Sequence, residues 1–281
     1  MRLVPELSVI IPVRNGGLFL AEAIESVVNQ QVEFEFEILI IDDGSTDNTV
    51  EIVRDYVNTF PFVRLIHNER NGVGSALQTG LINSSGAVIV RLDSDDRMLP
   101  GRLQTHFASF GENRDLAVQG SQVAFIGNLN PGYLPNSYPT KDIEIRAFLA
   151  IGNAFADPSV AFSRDKAIAV GGFRNTLNGA EQYDLWMRLS LVGSLENLED
   201  VFTEYRIHIN QFTRTRNNRV YFSTILVQLM WFLGLTQLRT RISINRSSEK
   251  IRRSSIPRIS IPFFISRYIL HIIVKRLKHE F

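Results

Sequence analysis

The chain has no cysteine. That excludes a disulfide framework and any thiolate metal site, and it fits a reducing compartment. The H-E-x-x-H, G-x-S-x-G and P-loop patterns are also missing, so the chemistries they carry have no support. Gly72-Val73-Gly74 lacks the spacing of a dinucleotide fingerprint and follows a third strand, not a first. No apolar run approaches the roughly 20 residues that span a bilayer. The first residues, Met1 to Glu6, lead straight into a strand pattern without a signal-peptide core, so a cytoplasmic location is expected.

What is present describes an ordered globular chain. Of 281 residues, 44% are apolar and 21% charged. The net charge of +1 conceals an asymmetry. Residues 239–281 hold 11 Lys/Arg against two acids, a net of +9. The other 238 residues hold 19 Lys/Arg against 27 Asp/Glu, a net of −8. A basic tail on an acidic body points to an anionic partner for the tail.

Along the chain, short apolar runs alternate with helical periods. Leu7–Val13 reads as a buried strand, with Arg14 to Gly17 as its turn and a helix from Leu18 to about Gln31. Glu37–Ile41 is a second strand, ending at Asp42-Asp43-Gly44-Ser45-Thr46-Asp47. Ser45 or Asp47 is placed to cap a helix through about Asn58. Val63–His67 is a third strand, and a helix runs from Asn71 to about Asn83. Four such alternations predict a mostly parallel sheet with helices on both faces, whose ligands bind beyond the carboxyl ends of the strands. The segment 115–160 is less regular, and 130–136 reads as a mobile loop over the site. Glu181 to Leu189 begins a helix.

The fourth strand, within Gly86 to Leu92, ends in Asp93, Ser94, Asp95 and Asp96. Three carboxylates so close repel one another unless a positive charge sits among them, and a hard divalent ion is the economical answer. The alternative is a solvated acidic turn with Asp96 capping the next helix. Arg14, Asp42, Asp43 and the 93–96 acids all fall at strand ends, and their convergence on one edge favours a site.

Six motifs then occur in order: Ser8 to Asn15, Ile41 to Asp47, Asp93 to Asp96 with Pro100, Gly171-Gly172-Phe173, Tyr183-Asp184-Leu185-Trp186, and Tyr205-Arg206-Ile207-His208. Over roughly residues 5–212 the chain resembles the family 2 inverting glycosyltransferases. The resemblance implies a Rossmann-like GT-A fold, α/β with a mostly parallel central sheet flanked by helices. It implies a nucleotide-diphospho-sugar donor, UDP- or dTDP-linked, and a divalent cofactor, Mn²⁺ or Mg²⁺. The acceptor it implies is a lipid-linked or cell-envelope glycan. Pro12, Val13, Arg14 and Asp43 match positions that hold the nucleotide; Asp93 and Ser94 match the donor-binding part of the DxD motif. Asp95 matches the metal ligand, and His208 a late histidine that in some relatives completes the metal or diphosphate contacts. For His208 a structural histidine in a loop is the competing assignment.

Two departures stand out. Relatives usually read Glu-Asp-Tyr-Asp where this chain reads Glu181-Gln182-Tyr183-Asp184, and the missing acid is the family's base. Glutamine cannot accept that proton, so either Glu181 or Asp184 takes the role, or the protein is a non-catalytic sugar-nucleotide binder. Leu77 stands where relatives often carry an arginine. A nucleotidyltransferase, using the same carboxylate–phosphate chemistry, is the third option.

The expected layout is a catalytic domain over 1–218 and a helical, basic, amphipathic extension over 219–281. Phe222–Leu235 and Ile261–Val274 are apolar with basic residues around them, as in helices lying on an anionic membrane face. The competing assignment packs them on the catalytic domain or in a homodimer. No nucleic-acid-binding motif accompanies the basic residues, so nucleic acid is not expected as a partner. The expected location is cytoplasmic, peripheral on the inner face of the cytoplasmic membrane.

Overall fold

The structure, a computed structural model, describes residues 5–69, 72–127, 137–177, 179–209 and 217–232. Both the loop expected over the site at 130–136 and the basic stretch 239–281 lie outside the described residues.

Eight strands form one sheet. They are β1 (Leu7–Val13), β2 (Phe36–Asp42), β3 (Val63–His67), β4 (Val88–Arg91), β5 (Arg97–Met98), β6 (Leu116–Gly127), β7 (Ala161–Ser163) and β8 (Ser194–Ile207), in the order β3-β2-β1-β4-β7-β6-β8-β5. The helices are α1 (Leu20–Val28), α2 (Thr49–Thr59), α3 (Val73–Asn83), α4 (Arg102–Glu112), α5 (Asp142–Leu149), α6 (Arg164–Ala169), α7 (Glu181–Leu189) and α8 (Asn217–Phe232).

The strands β3, β2, β1 and β4 are parallel. Their residues alternate between two cores. Leu7, Val9, Ile11 and Val13 of β1, with Ile38 and Ile40 of β2, pack against Leu20, Ile24 and Val27 of α1 and Val53 of α2. Ile10, Leu39 and Ile41 face the other side, with Leu77 and Leu81 of α3 and Leu185, Trp186 and Leu189 of α7. Burial on both faces explains why these strands read as unbroken apolar runs. α3 lies close on β1 because Gly80 has no Cβ; one there would come within 2.5 Å of Ile10 Cγ2.

Beyond β4 the sheet is mixed. β7 is antiparallel to both β4 and β6, and β8 runs parallel to β6. β4, β6 and β8 therefore point the same way, and β7 runs against them. The carboxyl ends of β1, β2, β4 and β8, and the start of β7, consequently meet at one edge. That geometry brings distant sequence motifs together.

The long strand β6 occupies the segment expected to be irregular. Its polar centre (Gln119, Gly120, Ser121, Gln122) hides the strand period, yet Leu116 to Ser121 is fully buried. α8 crosses the expected boundary at 218/219, and its Val227 is buried in the core that includes α7. Among the described residues no helix is long and apolar enough to cross a membrane.

Candidate functional site

At the end of β4, Asp93, Asp95 and Asp96 bring carboxylate oxygens within 4.8 Å of one another. Each is held differently. Arg91, buried at the strand end, donates from Nη2 to Asp93 Oδ1 at 2.5 Å. Asp95 Oδ2 meets His208 Nε2 at 2.8 Å. Asp96 Oδ1 accepts the Arg206 backbone N–H at 2.7 Å, and its Oδ2 is buried without a partner among the described residues. Burial, against the pull of Arg91, pushes the Asp93 carboxyl up to about 6. Burial and the Asp95 and Asp93 charges push Asp96 well above the usual carboxylate range.

The end of β8 supplies the other wall. Arg206 donates from Nε to the Asp95 carbonyl at 2.8 Å and from Nη2 to Glu22 at 2.7 Å. Its guanidinium sits 4.4 Å over the Phe19 ring, which in turn lies 5.2 Å from the His208 ring. Below, Arg102 of α4 donates to the Arg91 carbonyl at 2.8 Å and to Thr203 of β8 at 3.0 Å. A single buried guanidinium thus ties β4 to β8. The donor set, three carboxylates and one imidazole with one carboxylate oxygen unsatisfied, fits a hard divalent cation.

The β1 and β2 ends are stitched together instead. Asn15 takes a positive φ of 54° and donates its N–H to Ser45 at 2.9 Å. Its side-chain oxygen accepts the Thr46 N–H at 2.8 Å. Asp47, one of the two expected caps, accepts from the N–H of Thr49 and of Gly17, both at 3.1 Å, but the cap position of α2 falls one residue later, at Asn48. Asp43 accepts from Asn68 Nδ2 at 2.7 Å and from the Gly72 N–H at 2.9 Å, so it fixes the turn into α3. Pro12 and Val13 are buried at this edge, Arg14 is exposed and Ser94 half-buried.

α7 begins the third part of the site. Glu181 is 1% exposed; its Oε2 accepts the Gly179 N–H at 2.6 Å and its Oε1 is buried with no partner among the described residues. Burial pushes its carboxyl up to about 7. Gln182 is likewise buried, and its Oε1 lacks a partner among the described residues. Asp184, the other expected base, has no free oxygen. Its Oδ1 accepts from Arg174 at 3.0 Å, and its Oδ2 accepts from Arg188 Nη2 at 2.6 Å. Arg188 also donates to the carbonyls of Val170 and Gly172, which locks the Gly171-Gly172 turn to α7. Leu77 is a core residue at 1% exposure, so that departure falls inside the molecule.

Sequence reasoning passed over Arg91, Arg206 and Asp157. Arg91 reads as part of an apolar strand that runs on to Leu92, and Asp157 as the first residue of a strand through Phe162. Only the convergence of β4, β7 and β8 makes Arg206 and Asp157 neighbours of the acids, whereas Arg91 is two residues from Asp93 in the chain.

Comparison with known proteins follows this geometry. The chondroitin synthase of Escherichia coli is 28% identical over 212 residues, covering 74% of this chain and 30% of that protein. The chain thus spans less than a third of that relative. An uncharacterized glycosyltransferase of Rickettsia prowazekii is 29% identical over 226 residues, 77% of this chain and 68% of that one. Among solved structures, Staphylococcus aureus TarS in complex with UDP-GlcNAc superposes with a TM-score of 0.63 at 20% identity, over 80% of this chain and 66% of that one. The Pyrobaculum calidifontis mannosyltransferase PcManGT, in complex with GDP-Man and Mn²⁺, gives 0.59 at 16%, over 99% and 88%. These two likenesses establish a shared fold. The match to the family described as Glycosyl transferase family 2 runs over residues 8–171, from β1 through α6 and across both acid-bearing turns, and the chain belongs to that family.

Proposed function

We propose that the protein transfers a glycosyl group from a nucleoside-diphosphate sugar to an acceptor hydroxyl with inversion, and that Glu181 is the base. One observation carries this: a buried carboxylate at the same edge as the acid cluster, with one oxygen fixed and the other unpartnered among the described residues; burial pushes its pKa up to about 7. A base poised near the working pH is the most effective. Asp184, neutralised by two guanidinium groups, is read as an anchor for α7. Pro12, Val13, Arg14, Asp43, Asp93 and Ser94 are assigned to the nucleotide and its sugar.

Asp93, Asp95, Asp96 and His208 are the residues that would hold a divalent cation, Mn²⁺ or Mg²⁺. When bound, it would supply Lewis-acid charge to the diphosphate. The chain's own part is then positional and protonic. Arg206 fixes the Asp95–Asp96 backbone, and Phe19 packs against both Arg206 and His208. Glu181 takes the acceptor's hydroxyl proton as that oxygen bonds to the anomeric carbon. The bond from that carbon to the diphosphate oxygen breaks, and its electron pair leaves with the diphosphate. Attack and departure on opposite faces invert the centre.

The acceptor assigned is a lipid-linked or cell-envelope glycan, supported by the polysaccharide-synthase relatives and by the basic sequence of the tail. On the same grounds residues 222–281 are assigned to an anionic membrane surface on the cytoplasmic side, with homodimer formation as the competing use. Salt-sensitive co-sedimentation of the full chain with anionic liposomes, lost in a chain ending near Asn218, tests that assignment; equal sedimentation contradicts it.

A second reading, sugar-nucleotide binding without turnover, is favoured by one observation: an amide, Gln182, replaces the family's acid. Incubation with UDP-, dTDP- and GDP-sugars, Mn²⁺ and membrane extract separates the readings. Release of nucleoside diphosphate supports transfer, and binding without release supports the second. Release of pyrophosphate would indicate nucleotidyl transfer instead.

A further inference from the structure

Asp157 opens the short turn before β7 at the edge where β4 and β8 end. The register is fixed by the Arg91 N–H, which donates to the Val160 carbonyl at 2.8 Å. Both contacts that Asp157 makes converge on one oxygen. Its Oδ1 accepts from Asn153 Nδ2 at 2.8 Å and from the Trp186 indole Nε1 at 3.0 Å. Trp186 is fully buried on α7, the helix that begins with Glu181, so its ring is a rigid donor. Oδ2 makes no hydrogen bond among the described residues, although the residue is only half-buried.

A tether for an indole N–H does not need a charge; an amide or a backbone carbonyl serves. Here the tether is a carboxylate in a neighbourhood that already holds Asp93, Asp95, Asp96 and Glu181. Its negative charge is felt by Arg91, by Asp93 and by Glu181. Adding a like charge to an acidic site is unfavourable unless the charge is used. The nearby Arg91 offsets part of that penalty, and its Nε and Nη1 are buried without partners among the described residues.

We propose that Asp157 is a sugar-binding residue, its Oδ1 clamped by Trp186 and Asn153 so that Oδ2 accepts a hydrogen bond from a sugar hydroxyl at the point of transfer. A carboxylate oxygen held in one orientation accepts a hydrogen bond from a hydroxyl with little ordering loss on binding. The hydroxyl belongs to the sugar of the donor or to the acceptor, and both offer the same chemistry. The assignment rests on the transferase reading, and Asp157 acts beside Glu181 without replacing it.

Asp157→Asn is the test, because asparagine keeps an oxygen for Trp186 and Asn153 while removing the free carboxylate oxygen. Wild type and variant are titrated, with Mn²⁺ present, with UDP-, dTDP- and GDP-sugars and with the matching diphosphates. Transfer to membrane extract is then followed against acceptor concentration. If the donor supplies the hydroxyl, Asp157→Asn loses roughly tenfold in affinity for the nucleotide sugar and nothing for the diphosphate alone. If the acceptor supplies it, donor affinity is unchanged and the acceptor KM rises by about the same factor. Asn153→Ala, which loosens the clamp without touching the charge, shifts the same parameter by a smaller factor. Wild-type affinity and wild-type KM in both variants would overturn the proposal while leaving the transferase reading intact. A wild-type chain that binds no nucleotide sugar would overturn both. Should Asp157→Asn fail to fold, Asn153→Ala alone decides: an unmoved sugar affinity and acceptor KM count against the clamp.

Discussion

The two acid-bearing edges of this site treat their carboxylates in opposite ways. Where β1 and β2 end, Asp42, Asp43 and Asp47 accept from the backbone N–H groups of Ser45, Gly72, Thr49 and Gly17. Across the site, Asp96 Oδ2, Glu181 Oε1 and Gln182 Oε1 are buried with no partner among the described residues. Buried polar atoms are normally paired, and leaving one unpaired costs on the order of 1–3 kcal/mol. The first edge is therefore a set of finished turns. The second keeps unsatisfied oxygens where ligands and protons would arrive. The difference separates acids whose oxygens are spent on turns from acids that keep an oxygen unpaired among the described residues, and it divides even one helix: Asp184 is saturated, Glu181 is not.

The largest effect is expected at the open edge. Asp95→Asn removes a charged oxygen from the cluster, and should abolish Mn²⁺-dependent nucleotide-sugar binding in calorimetry with the fold intact by circular dichroism. Undiminished binding would mean that the cluster is a solvated acidic turn. Next comes the closed half of α7. Asp184→Asn leaves Arg188 buried without its counter-charge, and breaking such a pair costs about 3–5 kcal/mol. Urea unfolding should register that loss, and a shift below about 1 kcal/mol would show that the ion pair is dispensable.

The raised pKa of Glu181 gives a smaller effect, with a sign. Unfolded, this carboxyl ionises at its ordinary value near 4.5; folded, it holds its proton to about 7. Between those values the unfolded state binds fewer protons, so this group lowers stability as pH rises and contributes no penalty below 4.5. Glu181→Gln should therefore be more stable than wild type at pH 8, by on the order of 1–3 kcal/mol, and equal to it at pH 4. Equal stability at both pH values would mean that the carboxyl is not strained by burial. The smallest change is expected for Gln182→Ala. An amide whose oxygen has no partner has little to lose, so turnover should stay within a few-fold of wild type in steady-state kinetics.

How much of this was legible in the sequence divides along the sheet. β1 and β3 have the bounds that their apolar runs predict; β1 is buried on both faces and leaves no ambiguity, while β3, at the end of the sheet, is mostly half-buried. β6 was not legible. Its Gln119 and Ser121 are buried but polar: Glu196 and His106 pair the Gln119 amide, the Ser121 hydroxyl donates to the Gln122 carbonyl, and such pairings are invisible in a linear pattern. The acid cluster and His208 could be named in advance from their motifs. Which of Glu181 and Asp184 keeps a free oxygen could not, because that depends on Arg174 and Arg188 closing around one of them.

The most direct test is the rate of nucleoside diphosphate release by Glu181→Gln, with Asp184→Asn alongside, from pH 5 to 9. Glu181→Gln should lose about 10²–10⁴ in kcat with nucleotide-sugar affinity preserved. Wild type should lose rate below a pH near 7, where Glu181 takes up its proton, and Asp184→Asn should keep that profile in whatever fraction folds. Turnover of Glu181→Gln at the wild-type rate, with the wild-type pH dependence, would contradict the account.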